Sequence, residues 1–203
     1  MNRFCLSTIL SLAAVLFIAA VTPQDFKAQY LKKAASTQSI QCTYIQEKII
    51  SQVKDPIVSQ GRFSYLSPGK IRLDQKKPAP SLIILTADSI YTEENGKVSR
   101  IGMDQHPYFK YLNQLIVGTV NGEVFDEKYF ETKIIETPKQ IQIDLLPKSR
   151  MMKRKFSNIR LFFDLTNLNL LSMEMIEKSG DRMKMTFQEP EINQPVDKTI
   201  FKL

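Results

Sequence analysis

The sequence predicts an α+β fold that is mostly antiparallel β: a strongly curved sheet or open barrel of about eleven strands, closed by two helices. Three observations lead there. Apolar and polar residues alternate with period two in one segment after another between Ile40 and Phe187. Proline, glycine and asparagine turn signals separate those segments at hairpin spacing. Only two stretches carry a helical period instead.

The 203 residues suffice for one domain with a sizeable core, and 43% apolar with 24% charged residues is a globular rather than a disordered composition. Arg3 followed by the apolar run Leu6 to Ala20 suits a secretory signal cleaved after Ala20, with an uncleaved anchor as the alternative. The expected layout is a signal peptide over 1–20 and a single domain over 21–203. Losing Arg3 takes the formal net charge from +7 to +6, a mildly basic exported chain. Cys42 is then the one cysteine left, which excludes an intramolecular disulfide and a cysteine metal site. It shares a strand face with Ile40 and Tyr44, as buried filler does.

Thr22-Pro23-Gln24-Asp25 has the chemistry of a helix start, and Phe26, Tyr30, Leu31 and Ala34 continue it as a stripe to about Ser36. Strands follow over Ile40–Ile50 and Ile57–Leu66. Ser67-Pro68-Gly69 reads as a type II turn with positive φ at Gly69, and Lys70–Lys76 returns from it. Phe63 and Tyr65 thereby share a face, as do Ile71 and Leu73, opposite Arg72 and Asp74. Ser81–Thr86 and Ser89–Asn95 are the next strands, and Asn95-Gly96 is the strongest hairpin signal, returning through Lys97–Met103. Pro107 opens the second helix, with Tyr108, Tyr111, Leu112 and Leu115 on one face and Gly118 at its expected end. Strands resume over Lys128–Glu136 and Gln140–Leu146, then a basic hairpin over Lys148–Lys155. Strands at Asn158–Asp164, around Met173, and around Met185 follow, and Thr199–Leu203 reads as a short last strand.

Catalytic signals are weak. His106, the single histidine, stands directly before Pro107, where a helix-start role outweighs that of a base. Glu93 and Glu94 point to opposite faces of a strand, so they do not form a pair, and no glycine-rich phosphate loop follows any strand. No metal and no cofactor are expected. Lys148, Arg150, Lys153, Arg154 and Lys155 form the densest charge cluster, read either as a contact for lipid head groups or a partner, or as a solvated strand edge. Nucleic acid is not expected, because no aromatics interleave the patch. What remains is the apolar face, more surface than two helices cover. Met173, Met175, Met183 and Met185 supply flexible thioethers there, suited to varied apolar guests.

The order of motifs resembles the periplasmic outer-membrane lipoprotein carrier family, the LolA-like proteins. The resemblance rests on Gly61-x-Phe63, Pro68-Gly69-Lys70-Ile71-Arg72, Leu85-Thr86-Ala87-Asp88, Tyr111-Leu112-x-x-Leu115, Leu145-Leu146-Pro147-Lys148, and the ending Thr186-Phe187 with Asn193 and Phe201. It runs from Asp25 to Leu203. It implies a half-open barrel whose concave face holds the acyl chains of a lipoprotein, under a helical lid. It further implies a monomeric, non-enzymatic periplasmic carrier, loaded by an inner-membrane ABC transporter and emptied at an outer-membrane acceptor. Strand alternation and family order together assign the cavity to Phe63, Tyr65, Ile71, Leu73 and Ile84, and to Ile90, Leu161, Phe163, Met173 and Met185. Tyr108, Leu112 and Leu115 are the expected lid residues. Two departures stand out: Ser67 occupies the place of the arginine that precedes the turn proline in the family, and the chain stops at Leu203 without an extra C-terminal loop. A carrier or sensor of another lipid or glycolipid is the alternative on the same fold.

Overall fold

The structure, a computed structural model, describes residues 23–202. The expected signal sequence, the Thr22 cap and Leu203 lie outside the described residues. Helix α1 (Pro23–Ser36) leads into β1 (Ser39–Ile49), β2 (Ile57–Leu66), β3 (Lys70–Lys77), β4 (Ser81–Leu85), β5 (Ser89–Glu94) and β6 (Lys97–Gly102). Helix α2 (Pro107–Asn121) separates these from β7 (Phe130–Glu136) and β8 (Gln140–Pro147). Then come α3 (Arg150–Lys155), β9 (Phe156–Asp164), β10 (Leu170–Glu177) and β11 (Arg182–Ile192).

All eleven strands form one antiparallel sheet in the order β6-β5-β4-β3-β2-β1-β11-β10-β9-β8-β7. Every neighbour is a sequential hairpin except one. The first and last strands pair with each other, with Ile40 opposite Ile192, Tyr44 opposite Phe187 and Ile49 opposite Arg182. The two meanders β1–β6 and β7–β11 are thus joined along that seam, and the edges left over are β6 and β7. Those edges are consecutive in the chain, and α2 is what connects them, crossing the concave face. Each edge carries exposed charge, Lys97 and Arg100 on β6 and Glu131, Lys133 and Glu136 on β7, which blunts further pairing.

Asn193 closes the seam at its upper end. Its Oδ1 accepts from the backbone N–H of Gln38 at 2.7 Å, and its Nδ2 donates to the Ser36 carbonyl at 3.0 Å. The residue sits at φ 59, a left-handed conformation that asparagine tolerates. One side chain therefore ties the end of α1 to the end of β11. On the outer face of β3, Arg72 donates to the Ile200 carbonyl at 2.8 Å and pairs with Asp74 at 3.3 Å. That anchors the C-terminal 3₁₀ turn Lys198–Phe201 against the sheet.

Five local expectations change. Pro68 follows a cis peptide and occupies the second central position of its turn, closed by the Gly69 N–H on the Leu66 carbonyl at 3.2 Å; Gly69 then needs no positive φ. Gly118 is buried inside α2, which runs one turn further and ends on Gly122 at φ 80. The Lys148–Lys155 segment is not a hairpin: Ser149 caps a short helix by accepting from the Met152 N–H at 3.3 Å. Residues 199–201 lie in the 3₁₀ turn rather than a strand, where the Arg72 bond satisfies the Ile200 carbonyl in place of a ladder partner. Leu31 also leaves the expected stripe of α1, being exposed while Phe26, Tyr30 and Ala34 are buried.

Gly61 sits where the β2–β3 register shifts. A Cβ there would fall 2.4 Å from the Asp74 carbonyl oxygen and 2.9 Å from the Gln75 Cα, backbone atoms that have no room to retreat. Gly61→Ala is expected to lower stability by about 1–3 kcal/mol in denaturant unfolding. Asn193→Ala should cost about 1 kcal/mol, since it removes bonds at exposed positions and puts alanine at positive φ.

Candidate functional site: an apolar cavity under α2

Buried apolar side chains form two clusters. One gathers α1, α2 and the strands β7 to β10, including Phe26, Tyr30, Leu115, Ile143, Leu161, Phe163 and Met175. The other lies over β1 to β5 and β11, including Tyr65, Ile71, Leu73, Leu85, Ile90 and Met185. Phe109 and Ile116 of α2 and Phe187 of β11 pack against both. Where the clusters meet, side chains do not fill the space, and a cavity of about 280 Å³ remains.

Its floor comes from the sheet: Cys42, Phe63, Leu73, Ile83, Met173, Met183, Met185 and Phe187. Its roof is one stripe of α2, with Tyr108, Leu112, Ile116 and Val120 spaced four residues apart. Its side wall is α1, through Tyr30, Lys33, Ala34 and the following Thr37, with the segment Leu168–Leu170. Polar groups are few. The Lys33 ammonium lines the cavity, but burial lowers its pKa, and its Nζ donates to the Asn167 carbonyl at 2.8 Å and to Asn169 Oδ1. Its hydrogen-bonding capacity is thus turned toward the loop. The Cys42 thiol, 7% exposed, is pushed up to about 12 by burial.

Of the residues assigned from the sequence, Phe63, Leu73, Met173 and Met185 border the cavity, as do Tyr108 and Leu112 of α2. Tyr65, Ile71, Ile90, Leu161, Phe163 and Leu115 belong to the packed clusters beside it. Ile84 faces the other way: it pairs with Arg72 and Tyr91, so it lies on the outer face that carries the Arg72–Asp74 ion pair. Sequence reasoning missed Lys33 and Asn169, which only the tertiary fold brings to the wall. It also missed Ile83, in an apolar run with no alternation to read.

Two hydroxyls hold the C-terminal half of α2 down. Tyr30 Oη donates to the Thr119 carbonyl, and Tyr65 Oη donates to Asn121 Oδ1 at 3.1 Å. At the other end, Lys155 lies 4.3 Å from the Tyr108 ring centroid, and Lys110 pairs with Asp104 at the surface. His106 stands at the N-cap position without a side-chain capping bond, its ring 4.8 Å from that of Phe109. Among the described residues no group of histidine, cysteine, aspartate and glutamate has metal-binding geometry.

An open antiparallel half-barrel with a helix across its mouth and an apolar cavity beneath agrees with the family model described as outer membrane lipoprotein carrier protein LolA, which matches residues 35–203. The chain belongs to the LolA family. No individual curated protein matches it. Solved structures similar to this LolA-family chain include an uncharacterised conserved protein from Thermus thermophilus, at 9% identity and TM-score 0.53, covering 90% of this chain and 94% of that one. A DUF1329 family protein from Desulfovibrio piger gives 9% identity and TM-score 0.51 over 88% of this chain and 95% of that one. A LolA superfamily protein from Nitrosomonas europaea gives 11% identity and TM-score 0.49, covering 91% and 99%. At these identities the likeness is one of fold.

Cys42 offers a direct probe of the cavity. Its thiol titrates near 12 rather than at an ordinary 9.0, so at pH 8, below both values, the reactive thiolate is scarcer than in the unfolded chain. Maleimide labelling of the folded protein at that pH is expected to run on the order of 1000-fold slower than in denaturant. A fatty acid seated in the cavity should slow it further, as read by intact-mass kinetics.

Proposed function

We propose that residues 21–203 form a periplasmic carrier that encloses the acyl chains of lipoproteins under α2 and shuttles them from the inner to the outer membrane. The observation that carries this reading is the cavity: an apolar space left open between two packed clusters, roofed by a single helix, in a chain of the LolA family. Leaving acyl chains in water costs about 0.8 kcal/mol per CH₂, so a soluble shuttle must cover them. The reading entails export with removal of residues 1–20, a monomer without enzymatic activity, loading by an inner-membrane ABC transporter and delivery to an outer-membrane acceptor.

The cavity's size specifies how loading would work. A 150 Å³ cavity accommodates benzene, so by proportion about 280 Å³ takes roughly a dozen carbons. That is part of one acyl chain, not three. Full cargo requires α2 to lift, and its ties favour a hinge at its C-terminal end, where Tyr30 and Tyr65 hold Thr119 and Asn121. The Tyr65–Asn121 bond joins sheet to lid just beside Ser67, the position where the resembling carriers have arginine. In this chain the tyrosine takes over that tie. The same volume favours, as the second reading, a lipid or glycolipid with fewer chains.

Mass spectrometry of the protein purified from its native periplasm without detergent separates the two. Triacylated protein in near-stoichiometric amount is expected; a co-purified free lipid would keep the cavity and change the cargo. Phe63→Asp puts an unpaired carboxylate into the wall and should weaken binding of a fluorescent fatty acid at least about tenfold, with an unchanged far-UV spectrum. Ile84→Val, on the outer face, should leave binding intact.

A further inference from the structure

The basic cluster is the feature that the cavity does not explain. The solvated-edge reading needs a strand at the margin of the sheet, and this segment is not one. It is a helix, α3, between β8 and β9, both interior strands. Between Asp144 and Asp164 the chain carries no acid. Among the described residues Arg150, Lys153 and Arg154 have no carboxylate within ion-pair distance, and all three are exposed. Amid them stands Met151, an apolar side chain 47% exposed.

α3 also walls a second cleft, of about 330 Å³, between itself and the first turns of α2. Three lysines, Lys110, Lys128 and Lys148, line it together with the rings of Tyr111 and Tyr129, and no acid does. The Tyr111 hydroxyl is buried without a partner. The two long faces of α2 are thus divided: Tyr108, Leu112 and Ile116 roof the apolar cavity, while Pro107, Lys110, Tyr111 and Gln114 border the basic cleft.

We propose that α3 and this lysine-lined cleft are a docking surface for an anionic lipid bilayer. Arg150, Lys153 and Arg154, with Lys128 and Lys148 of the cleft, supply attraction to lipid phosphates that adds residue by residue, while Lys110 is already paired with Asp104. Met151 gives the patch an apolar centre that enters the head-group region, and the half-buried Tyr129 beside the cleft suits the same interface. An acidic protein partner is the other occupant of such a patch, and the vesicle test separates the two. The surface puts the N-terminal end of α2 against the membrane, and it stands whatever the cavity carries.

The test is co-sedimentation of the protein, purified as its host makes it, with phosphatidylcholine vesicles and with vesicles of equal parts phosphatidylcholine and phosphatidylglycerol. Binding to the anionic vesicles alone is expected, and it should fade as salt is raised. The triple variant Arg150→Ser, Lys153→Ser, Arg154→Ser should lower the partition coefficient roughly 100-fold. Lys32→Ser, Lys139→Ser, Lys198→Ser removes as much charge from exposed positions elsewhere and should change it only a few-fold. Equal losses in the two triple variants would reduce the effect to net charge and overturn the proposal. So would a wild-type protein that ignores anionic vesicles, including one that binds polyglutamate instead.

Discussion

Pairing of the first strand with the last is the constraint on which the architecture depends. Each meander alone is a run of local hairpins with one apolar face and nothing opposite it. The β1–β11 ladder sets them side by side in a fixed register, so that Tyr44 meets Phe187 and Gln46 meets Met185. Because side chains alternate with period two, a slip of one residue there would turn one meander inside out relative to the other. Asn193 guards against that slip by binding the chain on both sides of the seam. This contact is also the most remote in sequence, and its loop-closure cost falls on folding before any local gain.

With the seam fixed, the sheet curves but does not close, and the unpaired strands β6 and β7 are left for α2 to join. The helix therefore has two duties. It is a covalent bridge across the gap in the barrel, and from above the sheet it packs against both apolar clusters at once. The bridge is tied at its C-terminal half by the Tyr65–Asn121 bond, and its N-terminal half is packed through Tyr111, whose ring meets Phe130 and Phe156, with Lys110–Asp104 and Lys155 over Tyr108 at its margin. Surface ion pairs such as Lys110–Asp104 contribute about 0–1 kcal/mol, so the buried Tyr111 and Leu112, rather than that pair, hold this end against the sheet.

Much of this was legible in the sequence, for reasons that particular residues make plain. Alternation located the hairpins because half-buried antiparallel strands require it, and Asn95-Gly96 marked its turn because both residues adopt positive φ, 52 and 72. The family motifs acquire physical content in the same way: Gly61 leaves backbone room beside Asp74, and Asn193 ties the seam. Where alternation vanished, the reading lost its phase. Leu82-Ile83-Ile84-Leu85 is apolar on both faces, so nothing in it said that Ile83 points inward and Ile84 outward. The helix α3 was missed because basic residues fit any exposed element; the Ser149 cap was the signal that distinguished it. The division between cavity wall and packed core, as between Leu112 and Leu115, is set by which residues the two meanders bring face to face. No local pattern encodes that.

The methionines at the centre of the sheet carry a consequence of their own. Met173, Met183 and Met185 all front the cavity, and so does the one cysteine of the described chain. An oxidant small enough to enter would convert each thioether to a sulfoxide, a polar and chiral group where the wall had been apolar. The strands beneath, held by backbone hydrogen bonds, would remain in place. The chain would then be folded around a polar wall where the cavity had been apolar. Loss of the apolar wall under oxidative attack would precede any loss of structure, and because a sulfoxide can be reduced again, the change is reversible.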